Sequence, residues 1–188
     1  MRWRRARRAS RDQPKKAAPY PMQVRNVHER QFPLPLAVVG ALVDSLASRE
    51  DRLWPRDKWP PMRFDRPLAA GAVGGHGPIR YSVEDYRPGG SILFRFSAPR
   101  GFNGTHRFEV EERQGATFLR HVLEMRATGR ALLSWSLYIR PLHDACVEDC
   151  LDRATVSLGV ALERPASWSI YVRMLRAFRQ AVSRSKQR

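Results

Sequence analysis

The chain predicts an α+β domain, an antiparallel meander covered by a long helix toward the C-terminal end, and three observations carry that reading. Between residues 78 and 141 apolar side chains recur at every second position, the period of strands with one buried face. From about 142 to 161 they recur at the helical period, with small residues on the apolar half. Ahead of both lie a weakly alternating stretch and a helical one.

The elements follow in order. "MQVRNVHERQF" (22–32) is a first strand whose alternation is weak. "FPLPLAVVGALVDSLASRED" reads as a helix, with Pro35 near its first turn and Leu36, Val39, Leu42 or Val43, and Leu46 on one face. "DRLWPRDKWPPMRFDRP" (51–67), with four prolines, is a broken helix or an ordered loop, and "GAVGGHG" (71–77) is a glycine-rich link.

Five strands are then expected in succession. Their inward positions are Ile79, Tyr81 and Val83; Ile92, Phe94 and Phe96; His106, Phe108 and Val110; Leu119, His121, Leu123 and Met125; and, in "ALLSWSLYIRP", Leu133, Trp135, Leu137 and Ile139. Beyond the long helix, Pro165 separates a last segment, 167–182. It stripes Trp168, Tyr171, Leu175, Phe178 and Val182 against Arg173, Arg176 and Arg184.

"RPLHDACVEDCLDRA" (140–154) aligns His143 with both cysteines of the chain. On the helical wheel Cys146 and Cys150 share a face with Val147, Leu151, Ala154 and Leu158, opposite Glu148, Asp149 and Asp152. A zinc site wants four ligands at short spacings, and a redox pair wants a CxxC; neither is present. The stripe reads as a packing surface on which cysteine acts as a small hydrophobe. His106, His121 and His143 all aim at the interior. They are read as dispersed polar groups, each with its own partner, rather than as a metal site, so neither metal nor cofactor is expected. Asp144 is read as a stabiliser of the helix N-terminus.

Charge divides the chain. The formal net charge is +16, and residues 1–16 hold eight Arg or Lys against Asp12, while 173–188 hold six and no acid. The 20 basic and 17 acidic residues between them are nearly balanced. The organisation expected is a basic arm (1–20), a folded domain (21–162), and a basic amphipathic helix and tail (163–188). Cationic ends suit phosphate, in nucleic acid or on an anionic membrane, or serve only as solvated arms. No apolar run is long enough to span a bilayer. Two cysteines make no disulfide framework, so a cytoplasmic setting is the reading, with the inner membrane face as an alternative reached through the basic ends.

"WPRDKWPPMRFDRPL", "GGHGPIRYSVEDYRPGGSILFRF" and "RPLHDACVEDCLDRA", with the order of elements over about 22–161, resemble bacterial members of the START-like, or SRPBCC, superfamily. That superfamily includes Bet v 1-like proteins and polyketide cyclases. The resemblance implies a helix-grip fold, a curved antiparallel sheet wrapped around the long C-terminal helix with a deep apolar tunnel between them. It also implies small or apolar residues where Cys146 and Cys150 stand, and it names no reaction.

The tunnel would be walled by Phe94, Phe96, Phe108, Leu123, Met125 and Trp135, with His106, His121, His143 and Tyr81 as polar handles and Trp54 and Trp59 as a lid. An ordinary core position is the alternative for each aromatic. Three functions are open. The first is binding of a small hydrophobic, lipid-, isoprenoid- or polyketide-like molecule. The second is a cyclase or dehydratase with a cavity histidine as general base. The third is docking on membrane or nucleic acid through the basic ends, with the last helix packing on the domain, on a second copy in a homodimer, or at an interface.

Overall fold

The structure, a computed structural model, describes residues 21–185, with side chains as far as 181. The expected arm (1–20) and the last residues of the tail lie outside that range. Seven antiparallel strands form one sheet in the order β1-β7-β6-β5-β4-β3-β2. They are β1 (Met22–Phe32), β2 (Arg63–Phe64), β3 (Val73–His76), β4 (Ile79–Arg87), β5 (Ser91–Ala98), β6 (Phe102–Arg113) and β7 (Ala116–Ala127). α1 (Leu36–Ser45) follows β1. After β7 the chain turns into α2 (Arg130–Ser134), a π-helical turn (Trp135–Ile139) and α3 (Arg140–Ser157), which together make one long rod. α4 (Ile170–Ser185) ends the described chain.

The alternation assigned to β4 through β7 holds: Tyr81, Val83, Ile92, Phe94, His106, Phe108, Leu119, His121 and Leu123 are all buried. β4 slips register twice against β5, between Arg80 and Tyr81 and between Val83 and Asp85. Such bulges bend a strand and raise its twist, which curves the sheet toward the rod. α1 closes one end. Gly40 comes so near the β4–β5 turn that a Cβ there would stand 2.0 Å from the Gly89 carbonyl oxygen, and Asp44 accepts from the Gly89 N–H and the Tyr86 hydroxyl.

Three sequence expectations need correction. The segment taken as a fifth meander strand is helix. Its apolar residues fit period two, but they fit the helical period as well, placing Ala131, Trp135 and Leu142 inward while Leu133 and Leu137 stay 69% and 60% exposed. The glycine-rich link contains β3, short enough for glycine to pair as an edge-side strand. The rod begins at 130 and ends at Ser157, not at 161. There Gly159, at φ 70°, closes a Schellman motif, with the Val160 N–H donating to Thr155 O and the Gly159 N–H to Val156 O.

The acidic side of α3 is also not solvent-facing. Asp149 and Asp152 are buried at 1% and 5% exposure. Asp149 accepts hydrogen bonds from Lys58 Nζ, Trp59 Nε1 and Trp168 Nε1 at 2.7–2.8 Å. Asp152 takes Arg30 at 2.7 Å and the Ala166 N–H. Both sides of α3 are therefore packed, one by the sheet and one by the 58–60 segment and the approach to α4. Cys146 and Cys150 are free and buried in the main core, and burial, with Cys146 beside it, pushes the Cys150 thiol up.

Candidate functional site

Between the sheet and the rod lies a cavity of about 80 Å3. Strands β6 and β7 supply Phe102, His106, Phe108, His121 and Leu123, and the rod supplies Trp135, Tyr138, Leu142, His143 and Cys146. Phe96, His76 and the Trp54–Met62 segment complete the wall. Of the residues picked from the sequence, Phe96, His106, Phe108, His121, Leu123, Trp135, His143, Trp54 and Trp59 all border this space. Tyr81, Phe94 and Met125 do not. Tyr81 and Phe94 are completely buried in the core, Phe94 stacked on Phe64 and on His106, and Met125 is buried in a second cluster with Phe102 and Trp135. At about 80 Å3 the hollow is smaller than the deep tunnel that the family resemblance implies.

Trp54 and Trp59 are fixed at the mouth. Trp54 donates to Pro60 O, and Trp59 is tied to Asp149 and set edge-on to Trp168. Arg176 of α4 lies over both Trp59 and Trp168. Outside them, Lys58, Arg176 and Arg179 line a vestibule of about 390 Å3 that shares Trp59, Pro60, Leu142 and Arg179 with the inner cavity.

The histidines are not dispersed. All five in the sequence form one line across the interior, each from a different element. His76 Nδ1 meets the Tyr81 hydroxyl at 3.0 Å, and the Tyr81 ring sits edge-on to His106. His106 Nδ1 and His121 Nε2 are 3.3 Å apart, and the His121 and His143 rings are 5.0 Å apart. His143 Nδ1 and His28 Nε2 both reach Asp144 Oδ1 at 3.3 Å, and His28 Nδ1 reaches Glu148 at 2.6 Å. The separate-partner expectation failed because inward positions on the adjacent strands β6 and β7 bring His106 beside His121, and the rod lays His143 across them.

Three imidazole nitrogens, His106 Nε2, His121 Nδ1 and His143 Nε2, are buried without a hydrogen-bond partner. The bonds they do make constrain what they offer. His143 donates Nδ1–H to Asp144, so Nε2 carries a lone pair. In the His106–His121 pair one ring donates to the other, and whichever tautomer holds, the two outer nitrogens are one N–H and one lone pair. The cavity thus presents one donor and two acceptors on an otherwise apolar wall. Burial, with the neighbouring imidazoles, pushes His106 and His121 well below the usual histidine range and His76 down to about 3. Burial also lowers His143, opposed in part by Asp144. All four are neutral at pH 7.

His28 behaves oppositely. Burial acts to lower it, but Asp144 and Glu148 outweigh that and push it up to about 9, so it stands as an imidazolium between two carboxylates. Asp144 therefore sits in the middle of the rod as the partner of His28, His143 and Asn26, not as a cap at a helix start. Among the described residues, His28, His143 and Asp144 are the one group whose ligand atoms lie close enough together to share a metal ion. The His28 proton already balances their charge. The sequence reading missed His28, His76 and Asn26. The signal was there: Asn26, His28 and Arg30 at every second position of a strand answer Asp144, Glu148 and Asp152 at every fourth of a helix.

No protein-family model matches the chain, and no curated protein sequence matches it. Solved structures do match. The di-domain ARO/CYC StfQ of the steffimycin biosynthetic pathway aligns at 12% identity over 73% of this chain and 51% of that one, with a TM-score of 0.56. A Thalictrum norcoclaurine synthase, solved with a transition-state analogue, aligns at 10% identity over 74% and 97%, with a TM-score of 0.56. An uncharacterised Rhizobium leguminosarum protein aligns at 14% identity over 74% and 97%, with a TM-score of 0.52. This likeness defines the class: an α+β helix-grip domain with the SRPBCC, or Bet v 1-like, fold. At such identities it is the fold that is shared. None of the described helices is long and apolar enough to cross a membrane.

Proposed function

We propose that the chain binds a small, largely apolar molecule bearing oxygen functions, of phenolic or polyketide-like character, between the sheet and α3. One observation carries this reading: three buried imidazole nitrogens without partners border an apolar hollow. An unsatisfied buried polar group costs about 1–3 kcal/mol, and a guest carrying two hydroxyls would satisfy one donor and two acceptors together, each O–H donating to a lone pair and one oxygen accepting the N–H. A plain hydrocarbon chain would leave them all unmet. The cavity holds about 80 Å3, roughly half of the ~150 Å3 known to accommodate benzene, so a bicyclic guest would extend past Arg179 into the adjoining vestibule. Fold-mates that include an ARO/CYC and a norcoclaurine synthase support the reading without specifying it.

Titration calorimetry with 2-naphthol against naphthalene tests the proposal. The naphthol is expected to bind about ten-fold tighter or better, as one satisfied hydrogen bond would give. Equal affinities, or an advantage that survives His121→Phe, would overturn it.

The His143–Asp144 pair favours a second, catalytic reading. A neutral imidazole held by a carboxylate at Nδ1 presents an Nε2 lone pair to the cavity, the arrangement of a general base beside a carbonyl compound, with Asp144 as its positioning residue. Proton NMR of 2-tetralone in D2O reads it directly. Protein-catalysed exchange of the protons next to the carbonyl that disappears in His143→Phe supports this reading, and exchange no faster than in buffer refutes it.

A further inference from the structure

α4 is turned the unexpected way round. Its apolar residues Ile170, Met174 and Phe178 are 75%, 63% and 68% exposed, and Tyr171 is 46% exposed. The side that meets the domain carries Val172, Leu175, Arg176 and Arg179. An amphipathic helix that served only to cover its own domain would bury the apolar arc and leave the arginines in water. Here Trp59 and Trp168 take Arg176 by stacking, and the Lys58 carbonyl accepts from it, which frees the apolar arc. The Tyr171 hydroxyl donates to Leu137 O and sets the first turn of α4 beside the π-helical turn, where Leu137 and, just before it in α2, Leu133 are exposed too. Six large apolar side chains thus stand out from α4 and the first turns of the rod. Isolated exposed hydrophobes need no explanation, whereas a set collected on adjoining elements marks an interaction surface.

The charge around this surface selects its partner. Residues 130–143 and 164–181 contain no Asp or Glu, and they contribute the exposed Arg130, Arg140, Arg164 and Arg173. A two-fold contact with a second copy would bring this cationic fringe against itself with no carboxylate from either segment to answer it. An anionic lipid surface answers both features, taking the apolar arc at the depth of the upper acyl chains and pairing the fringe with phosphates. We propose that α4 and the adjoining π-helical turn form a docking face for an anionic bilayer. The proposal goes beyond ligand binding and stands independently of it. The vestibule opens between α4 and the 58–60 segment, so docking would bring the cavity mouth to the membrane, where apolar guests concentrate.

Sedimentation of the full chain with phosphatidylcholine vesicles, with and without phosphatidylglycerol, tests it. Because the arginine-rich N-terminal arm can also attract anionic vesicles, the deciding variant is Ile170→Ser/Met174→Ser/Phe178→Ser, at exposed positions where folding is preserved. Binding to the anionic vesicles is expected to fall about ten-fold or more. Met174→Cys carrying a nitrobenzoxadiazole label is the second measurement, selective because Cys146 and Cys150 are buried. Its fluorescence is expected to rise on anionic vesicles. Vesicle binding that ignores the serine variant, a silent label, or a dimer abolished by the same substitutions in the absence of lipid would each overturn the proposal.

Discussion

His28 on β1 and Glu148 on α3 meet at 2.6 Å, Nδ1 to Oε1, in the middle of a three-rung seam. Asn26 donates to Asp144 on one side of them, and Arg30 pairs with Asp152 at 2.7 Å on the other. Two residues of strand advance about 6.6 Å and four residues of helix about 6.0 Å, so a polar strand face and an acidic helix face keep step over three rungs. The seam fixes the rod along the edge strand and holds Asp144 at the back of His143.

Stability should peak near pH 6.5 and fall on both sides. His28 is raised to about 9 in the folded protein from an ordinary value of 6.5, so its contribution is complete below 6.5 and is lost as pH rises toward 9. The buried His76, His106, His121 and His143 are depressed, so below about 6.5 the unfolded chain takes up protons that the folded chain refuses, and stability falls with pH. Urea midpoints across pH measure both limbs, and His28→Gln should flatten the alkaline one only.

Removing His28 leaves Asp144 and Glu148 facing each other across a half-buried gap. His28→Ala is expected to cost about 2–3 kcal/mol, less than a fully buried pair because Glu148 is 40% exposed. Glu148→Gln keeps a hydrogen-bond acceptor for His28 and should cost about 1 kcal/mol. Urea unfolding at neutral pH checks the order of the two. Equal losses would mean that the charge of Glu148 matters as much as the whole imidazole.

The cavity histidines should show the opposite sign. The double change His106→Phe/His121→Leu removes both rings of the hydrogen-bonded pair and with them two buried nitrogens without partners, so it is expected to stabilise the fold by about 1 kcal/mol while weakening 2-naphthol binding. Thermal unfolding and calorimetry on the same preparation read both changes. A variant that loses stability and binding together would assign the pair to structure alone.

What could be read in the sequence, and what could not, follows from the range of each interaction. Strands β4 to β7 were legible because Tyr81, Phe94, Phe108 and Leu123 alternate with charged neighbours, and alternation is local. Cys146 and Cys150 were placed correctly in the core by the same local logic. "ALLSWSLYIRP" was not legible, since a short apolar run satisfies both periods until Trp135 finds Phe102 and His143 in space. The seam escaped because its complementarity joins residues about 120 positions apart. The burial of Asp149 on the acidic side of α3 escaped for the same reason: its partners lie 19 to 91 residues away. Of the candidate site, the identities of His106, His121 and His143 were legible and their union was not, because it depends on strand register and on where the rod crosses.

Asp149 pins two separate parts of the molecule to α3 with one carboxylate. It holds Lys58 and Trp59 of the mouth segment and Trp168 of the approach to α4, and its side chain is fully enclosed. Asp149→Ala removes the acceptor for both indole N–H groups and leaves Lys58 without its partner, at an expected cost of about 3–4 kcal/mol. Asp149→Asn keeps one oxygen, enough for one indole, and turns an amide toward the others, so its cost should fall between. Because Trp59 and Trp168 also sandwich Arg176, loss of the pin frees α4 from the domain before the sheet unfolds. Limited trypsin digestion separates that local release from general instability. Cleavage at Arg173 and Arg176 should accelerate in Asp149→Ala at temperatures where circular dichroism is unchanged, whereas His28→Ala, also destabilising but on the far side of the rod, should leave the cleavage rate as it is.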